Sequence, residues 1–265
     1  MLGGLMNFEP SGRERDIQVR ESVAIDGAPV SYVIVLAAVV AGLAFVPLSV
    51  VLGSGKSFPM SQGIYPLVGW ILGPIAGAVA DGVGALVGVL IAPHTTTIPI
   101  ATVFGATMGG LAAGVMNAPR PRRWWWLPLA LVLTGLYALY AGRAMLVNGV
   151  RLFAILLGSF IDWSALLLFW LPTRQLAGRW IRDERPYRVG LGLFLGTWIV
   201  AGLVHLSTAV VVYLVFDWPE GVWLGMAPLA PIEHLIRCGV GVVMGGGVIA
   251  GLRSIGLVKS SWAVY

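Results

Sequence analysis

The sequence predicts an all-α fold, a polytopic transmembrane helix bundle, and three observations carry that prediction. Hydrophobic residues fill 58% of the 265 positions and charged residues only 11%, a balance far from that of a water-soluble domain. Apolar runs of spanning length recur along the chain, and about 17–25 such residues cross the hydrocarbon core as a helix. The arginines sit in short loops between those runs, as topology signals do, so the net charge of +5 does not read as a nucleic-acid face.

Taken in order, residues 1–29 read as a cytoplasmic tail, 30–253 as the transmembrane domain and 254–265 as a second cytoplasmic tail. About eight spans are expected, at 30–52, 64–72, 74–91, 98–116, 124–146, 152–171, 189–216 and 231–252. The second is too short to cross alone, so it either begins earlier in the preceding loop or lies tilted on its successor, and a seven-span reading stays open. Loop charge supports an even count with both termini inside. One side collects Arg13, Arg15 and Arg20, then Arg120, Arg122 and Arg123, then Arg174, Arg179, Arg182, Arg185 and Arg188, then Arg253 and Lys259. The other side holds Lys56, Arg143 and Arg151, and its last loop carries Asp217 and Glu220 with no base. Cytoplasmic loops are enriched in Lys and Arg, which assigns the first side to the interior. Trp124, Trp125 and Trp126 then fit an aromatic belt at the inner interface, and Trp218 and Trp223 one at the outer.

The hairpin at 65–88, YPLVGWILGPIAGAVADGVGALVG, organises the rest. Gly73-Pro74 marks a tight turn, and Gly77, Gly84 and Gly88 leave one face of the second helix almost without side chains, so another helix can approach to backbone contact. Asp81 lies on that helix, where facing lipid costs about 3 kcal/mol, so it is expected to point into the bundle or a cavity.

Ionisable residues inside apolar runs are functional candidates. Here they are Asp81, Asp162, His205 and the group Glu233, His234 and Arg237. Glu233 and Arg237 are four apart on one helix face near its outer end, which allows a self-contained salt bridge. Alternatively Arg237, beside His234, meets an anionic group of a solute, since the guanidinium fork suits carboxylates and phosphates. Asp162 has Arg143 and Arg151 as conceivable partners. Two outer loops add candidates: 53–63, with Lys56, reads as able to close over a ligand, and 92–97, APHTTT, supplies His94 and three hydroxyls. The ligand-binding set is therefore Lys56, Asp81, His94, His205, Glu233, His234 and Arg237.

Enzyme chemistry finds no constellation. The three histidines form no HExxH pattern, GSGKS lacks the full phosphate-loop spacing, and no GxSxG elbow exists. The expectation is a non-enzyme with no cofactor and no metal site. The single cysteine, Cys238, reads as core packing.

Three motifs carry a family resemblance: the Gly73-Pro74-x-x-Gly77 hairpin, the Ala37-xxx-Ala41 pattern on the first span, and Pro231 ahead of the last one. Together they resemble the substrate-binding S components of energy-coupling factor (ECF) transporters, importers of the ABC class. The resemblance is good over 30–116 and weaker over 189–252. It implies a six-helix S-component-like core with an added helix pair at 124–171, in the bacterial cytoplasmic membrane. It further implies capture of a vitamin-like solute at the outer side, docking of the first helix through Ala37, Ala38, Ala41 and Gly42 on a coupling transmembrane subunit, and energy from two ATPase subunits. The acid common in the family near Ala85 is absent, and Asp81 stands one turn earlier. The alternative reading is a structural subunit of a larger membrane complex with no ligand of its own. A third, an intramembrane enzyme, requires Asp81, Asp162 and His205 to converge.

Overall fold

The computed structural model describes residues 23–51, 56–116, 122–255 and 262–264, with side chains omitted at 49–51, 56–57 and 122. The chain enters through a two-residue hairpin, β1 (Ala24–Ile25) and β2 (Ala28–Pro29), and continues into α1 (Val30–Leu43). Where one apolar span is expected over 30–52, the helix stops at Leu43 and the chain turns into a strand, β3 (Pro47–Val51). Pro47 cannot supply the amide a continuing helix needs, and Val50 and Val51 favour extended backbone. Antiparallel pairing with β4 (Lys56–Pro59) completes the hairpin.

A short 3-10 turn leads into α2 (Tyr65–Leu72), every residue of which is buried. Gly73 breaks the helix at φ 90°, a conformation that glycine adopts without steric cost, and Pro74 restarts it as α3 (Pro74–Ile91). Because α2 has eight residues, it reaches only part-way across the bundle and folds back on α3. The glycine face of α3 then works as the sequence predicts. A Cβ at Gly84 would stand 2.6 Å from the Ala37 carbonyl oxygen of α1, and one at Gly88 would stand 2.8 Å from Ala44 Cβ. On its other side Gly77 meets Gly69 of α2, while α4 (Pro99–Met116) packs along its length.

After residues outside the described set, α5 (Trp126–Leu146) runs back along α9 (Pro186–Phe216). Between them α6 (Leu152–Gly158) and α7 (Phe160–Trp170) form a pair bent by 73° at Ser159. The hydroxyl of Ser159 donates to the Ile155 carbonyl at 2.7 Å and meets the Tyr137 hydroxyl at 3.0 Å, so polar groups at the bend are satisfied. The basic, amphipathic α8 (Thr173–Ile181) lies on α9. Last comes α10 (Glu220–Ile255), 36 residues long with Pro228 and Pro231 inside it. It begins eleven residues before the predicted start at 231, because proline within a helix removes one hydrogen bond without forcing termination when neighbouring helices support it.

Among the described residues, five helices, α3, α4, α5, α9 and α10, are long and apolar enough to cross a membrane, and the bent α6–α7 pair brings the number up to six. α1, at 14 residues, and α2 fall short of that length. The bundle is thus all-α and membrane-like as expected, with five to six spanning helices among the described residues where about eight are expected. Large apolar side chains face outward on these helices, among them Leu131 at 58% and Leu146 at 79% exposed on α5, which is the surface of a multi-pass membrane protein. The two ends differ. At one end β1–β2, the Gly73 turn, Trp125 and the described piece of the C-terminal tail meet: Trp262 donates to the Asp26 carbonyl at 3.0 Å, and the Val264 amide donates to Trp70 at 2.9 Å. That piece of the tail is buried against the bundle. At the opposite end lie β3–β4, the 92–98 loop and the α9–α10 connection.

Candidate functional site

At that second end, a cavity of about 200 Å³ opens between α9, α10, α4, β4 and the 92–98 loop. An engineered apolar cavity of ~150 Å³ admits benzene, so this one suits a compact ring-sized molecule. Its wall combines Phe58 and Trp218 with the polar groups of Gln62, Thr95, Thr96 and Thr97, and with His205 and Thr208 from α9. Several hydroxyls are already held: Thr95 donates to the Ala92 carbonyl at 2.8 Å, and Thr96 and Thr102 share a hydrogen bond of 2.6 Å.

His205 is fixed from behind. Its Nδ1 donates to Asp162 Oδ1 at 2.6 Å, while the Tyr140 hydroxyl donates to Asp162 Oδ2. Asp162 is 1% exposed, so these two donors are its compensation in a low-dielectric surrounding. With Nδ1 committed, Nε2 is the ring nitrogen left for the cavity, and it has no hydrogen-bond partner among the described residues. The bend at Ser159 makes the pairing possible by turning α7 so that Asp162 faces α9. Arg143 and Arg151, conceivable partners for Asp162 from sequence, are used elsewhere. Arg143 forms a two-pronged pair with Asp217, and Arg151 pairs with Glu220.

The remaining predicted site residues divide. Arg237 and Glu233 lie deep along α10, about four turns from its start, and not one turn from an outer end. Arg237 Cζ lies 4.4 Å from the centroid of the Phe58 ring, and Phe58 is part of the cavity wall that Arg237 does not itself reach. The guanidinium is 2% exposed and its Nη2 is 3.8 Å from Glu233, an ion pair beyond hydrogen-bond length. Neither Glu233 nor Arg237 lines the cavity. His234 turns the other way: its Nε2 donates to the Trp198 carbonyl at 2.9 Å, a structural bond between α10 and α9.

His94 is exposed and outside the cavity wall, where its neighbours Thr95, Thr96 and Thr97 stand. Lys56 opens β4, and its side chain is outside the described residues. Asp81 points into the bundle as expected, fully buried with both carboxyl oxygens unpartnered among the described residues, yet it joins neither the cavity nor the Asp162–His205 pair. A Cβ at Gly110 of α4 would stand 2.7 Å from its Oδ2, so close helix contact encloses it. The docking set is split as well. Ala37 and Ala41 are spent on α3, whereas Ala38 and Gly42 face outward beside Ile34, Val35 and Val39.

Comparison with protein-family models, with curated proteins and with solved structures finds no match.

Proposed function

We propose that this chain is the solute-binding membrane subunit of an ECF-type importer, holding a compact vitamin-like molecule in the cavity beside His205. The carrying observation is that cavity: ring-sized, walled by two aromatic rings and several hydroxyls, with an imidazole nitrogen free to bond and its partner nitrogen held by Asp162. Pockets of mixed apolar wall and few oriented polar groups are what small-molecule sites look like. The distribution of arginine supports the orientation: the cavity end is the outer one, and the end carrying Arg123, Arg179, Arg182, Arg185, Arg188 and Arg253 is cytoplasmic with both termini.

In this reading the protein binds without chemistry. Phe58, Trp218 and the threonines enclose the ring, and His205 Nε2 meets a donor or acceptor on it. The coupling subunit docks on the outward face of α1 through Ala38 and Gly42, Ala37 and Ala41 being committed to α3. Two ATPase subunits supply the energy, in keeping with the lack of any nucleotide motif in the chain.

The test is extraction from the native membrane followed by mass spectrometry of the molecules released on denaturation. One small molecule at near-stoichiometric amount, together with co-purifying ATPases, is the expected result. A large complex that releases no small molecule would instead favour the structural-subunit reading.

A further inference from the structure

The opposite end of the bundle carries a second cavity, of about 260 Å³, built by the end of α4, the start of α5 and α8. Three guanidinium-bearing residues line it, Arg123, Arg179 and Arg182, with the amide of Gln175 and the ring of Trp126. Among the described residues no carboxylate lines it. The nearest acids in sequence, Asp183 and Glu184, belong to a neighbouring depression that Arg182 also borders together with Arg185 and Arg188, and Asp183 is occupied there by the Arg188 guanidinium at 2.8 Å and the Arg185 amide at 2.9 Å. Among the described residues the guanidinium of none of the three cavity arginines has an ion pair or hydrogen bond, although that of Arg123 lies 5.2 Å over the Trp124 ring.

The wall behind them is tied together by hydrogen bonds and ring contacts. Arg174, 6% exposed, spends Nη1 on the carbonyls of Phe169, Trp170 and Leu171 and lays its guanidinium on the face of Trp126, 3.5 Å from the ring centroid. Trp170 meets the same ring edge-on at 5.7 Å. A cationic mouth on an apolar floor of Val115 and Met116, placed where two apolar helices end, matches the level at which headgroups lie.

We infer that this cavity binds the phosphate group of an anionic phospholipid headgroup, Arg123, Arg179 and Arg182 donating hydrogen bonds to its oxygens and Trp126 packing on the glycerol region. Arginine forks pair with phosphate oxygens in planar, two-pronged geometry, which a general surface attraction does not require. The assignment is independent of the importer reading, because it uses no residue of the solute cavity.

The experiment reconstitutes the full chain in nanodiscs of phosphatidylcholine with graded phosphatidylglycerol, and counts bound phosphatidylglycerol by native mass spectrometry after mild release. Arg179→Gln/Arg182→Gln is compared with the charge-matched Arg13→Gln/Arg15→Gln. A saturable phosphatidylglycerol adduct weakened about fivefold for each cavity arginine removed, and unchanged in the tail variant, is expected. A parallel arm adds inorganic phosphate to pure phosphatidylcholine discs. If phosphate alone binds and the binding is lost in the cavity variant, the same site stands with a soluble source. Equal loss in both variants, or no adduct in either arm, overturns the inference.

Discussion

Asp162 sits at the point where the proposed solute site is either held or lost. Its two oxygens accept from His205 and Tyr140 at 1% exposure, so removing the carboxylate strands two donors in a dry surrounding. Asp162→Leu is expected to destabilise the fold by about 1–3 kcal/mol, measured by unfolding in detergent, and to weaken solute binding further through the freed imidazole. Tyr140→Phe removes one donor and leaves His205 in place, so its effect on binding is expected to be the smaller. A pH effect belongs outside the spans. Two hydrogen bonds from Arg143 and one from Asn148 hold the Asp217 carboxyl at about 2, below its ordinary 3.8. Its folded value is depressed, so its contribution is complete above 3.8 and is lost as pH falls toward 2. The stability difference between wild type and Asp217→Asn should therefore be flat above about pH 5 and shrink below it. Asp162 and His205 are legible in the sequence as ionisable residues in apolar runs. Their pairing is not, because they are 43 residues apart and meet only through the bend at Ser159. Phe58 and Trp218 are hidden for the opposite reason, since aromatic residues near membrane ends are ordinary.

Helix contacts through small residues set the next scale. Gly84 of α3 faces the Ala37 backbone of α1, so Gly84→Leu should push the helices apart and cost about 1–3 kcal/mol or more. Gly42, with nothing within 4 Å of an added Cβ, is the matched control: Gly42→Leu should leave unfolding unchanged and, if α1 docks on a coupling subunit, reduce complex recovery. Full recovery of the complex with Gly42→Leu and Ala38→Leu together would count against that docking face. The glycine spacing of α3 shows in the sequence as a contact face and serves as one. The Ala37-xxx-Ala41 pattern is equally visible, but spacing identifies a close contact without naming the partner, and here the partner is α3 of the same chain. Strand β3 is unreadable as such, because an apolar run ending in Val50-Val51 has the same composition as the end of a span.

The whole molecule has two chemically distinct ends, a hydroxyl- and aromatic-lined cavity at one and, at the other, a cavity whose arginines have no ion pair among the described residues. Cys238 is fully buried, so a labelling background is silent and orientation can be read directly. Thr97→Cys should react with a membrane-impermeant maleimide in intact cells, and Glu184→Cys only after permeabilisation. The central claim concerns what the first cavity holds. Val212, half-buried on its wall, can be enlarged without entering the packed core. Native mass spectrometry of wild type beside Val212→Trp, at matched unfolding temperature, tests the claim most directly. A small-molecule adduct present on wild type and missing from the variant is the expected result, whereas an adduct retained undiminished by Val212→Trp would contradict the assignment of the solute to this cavity.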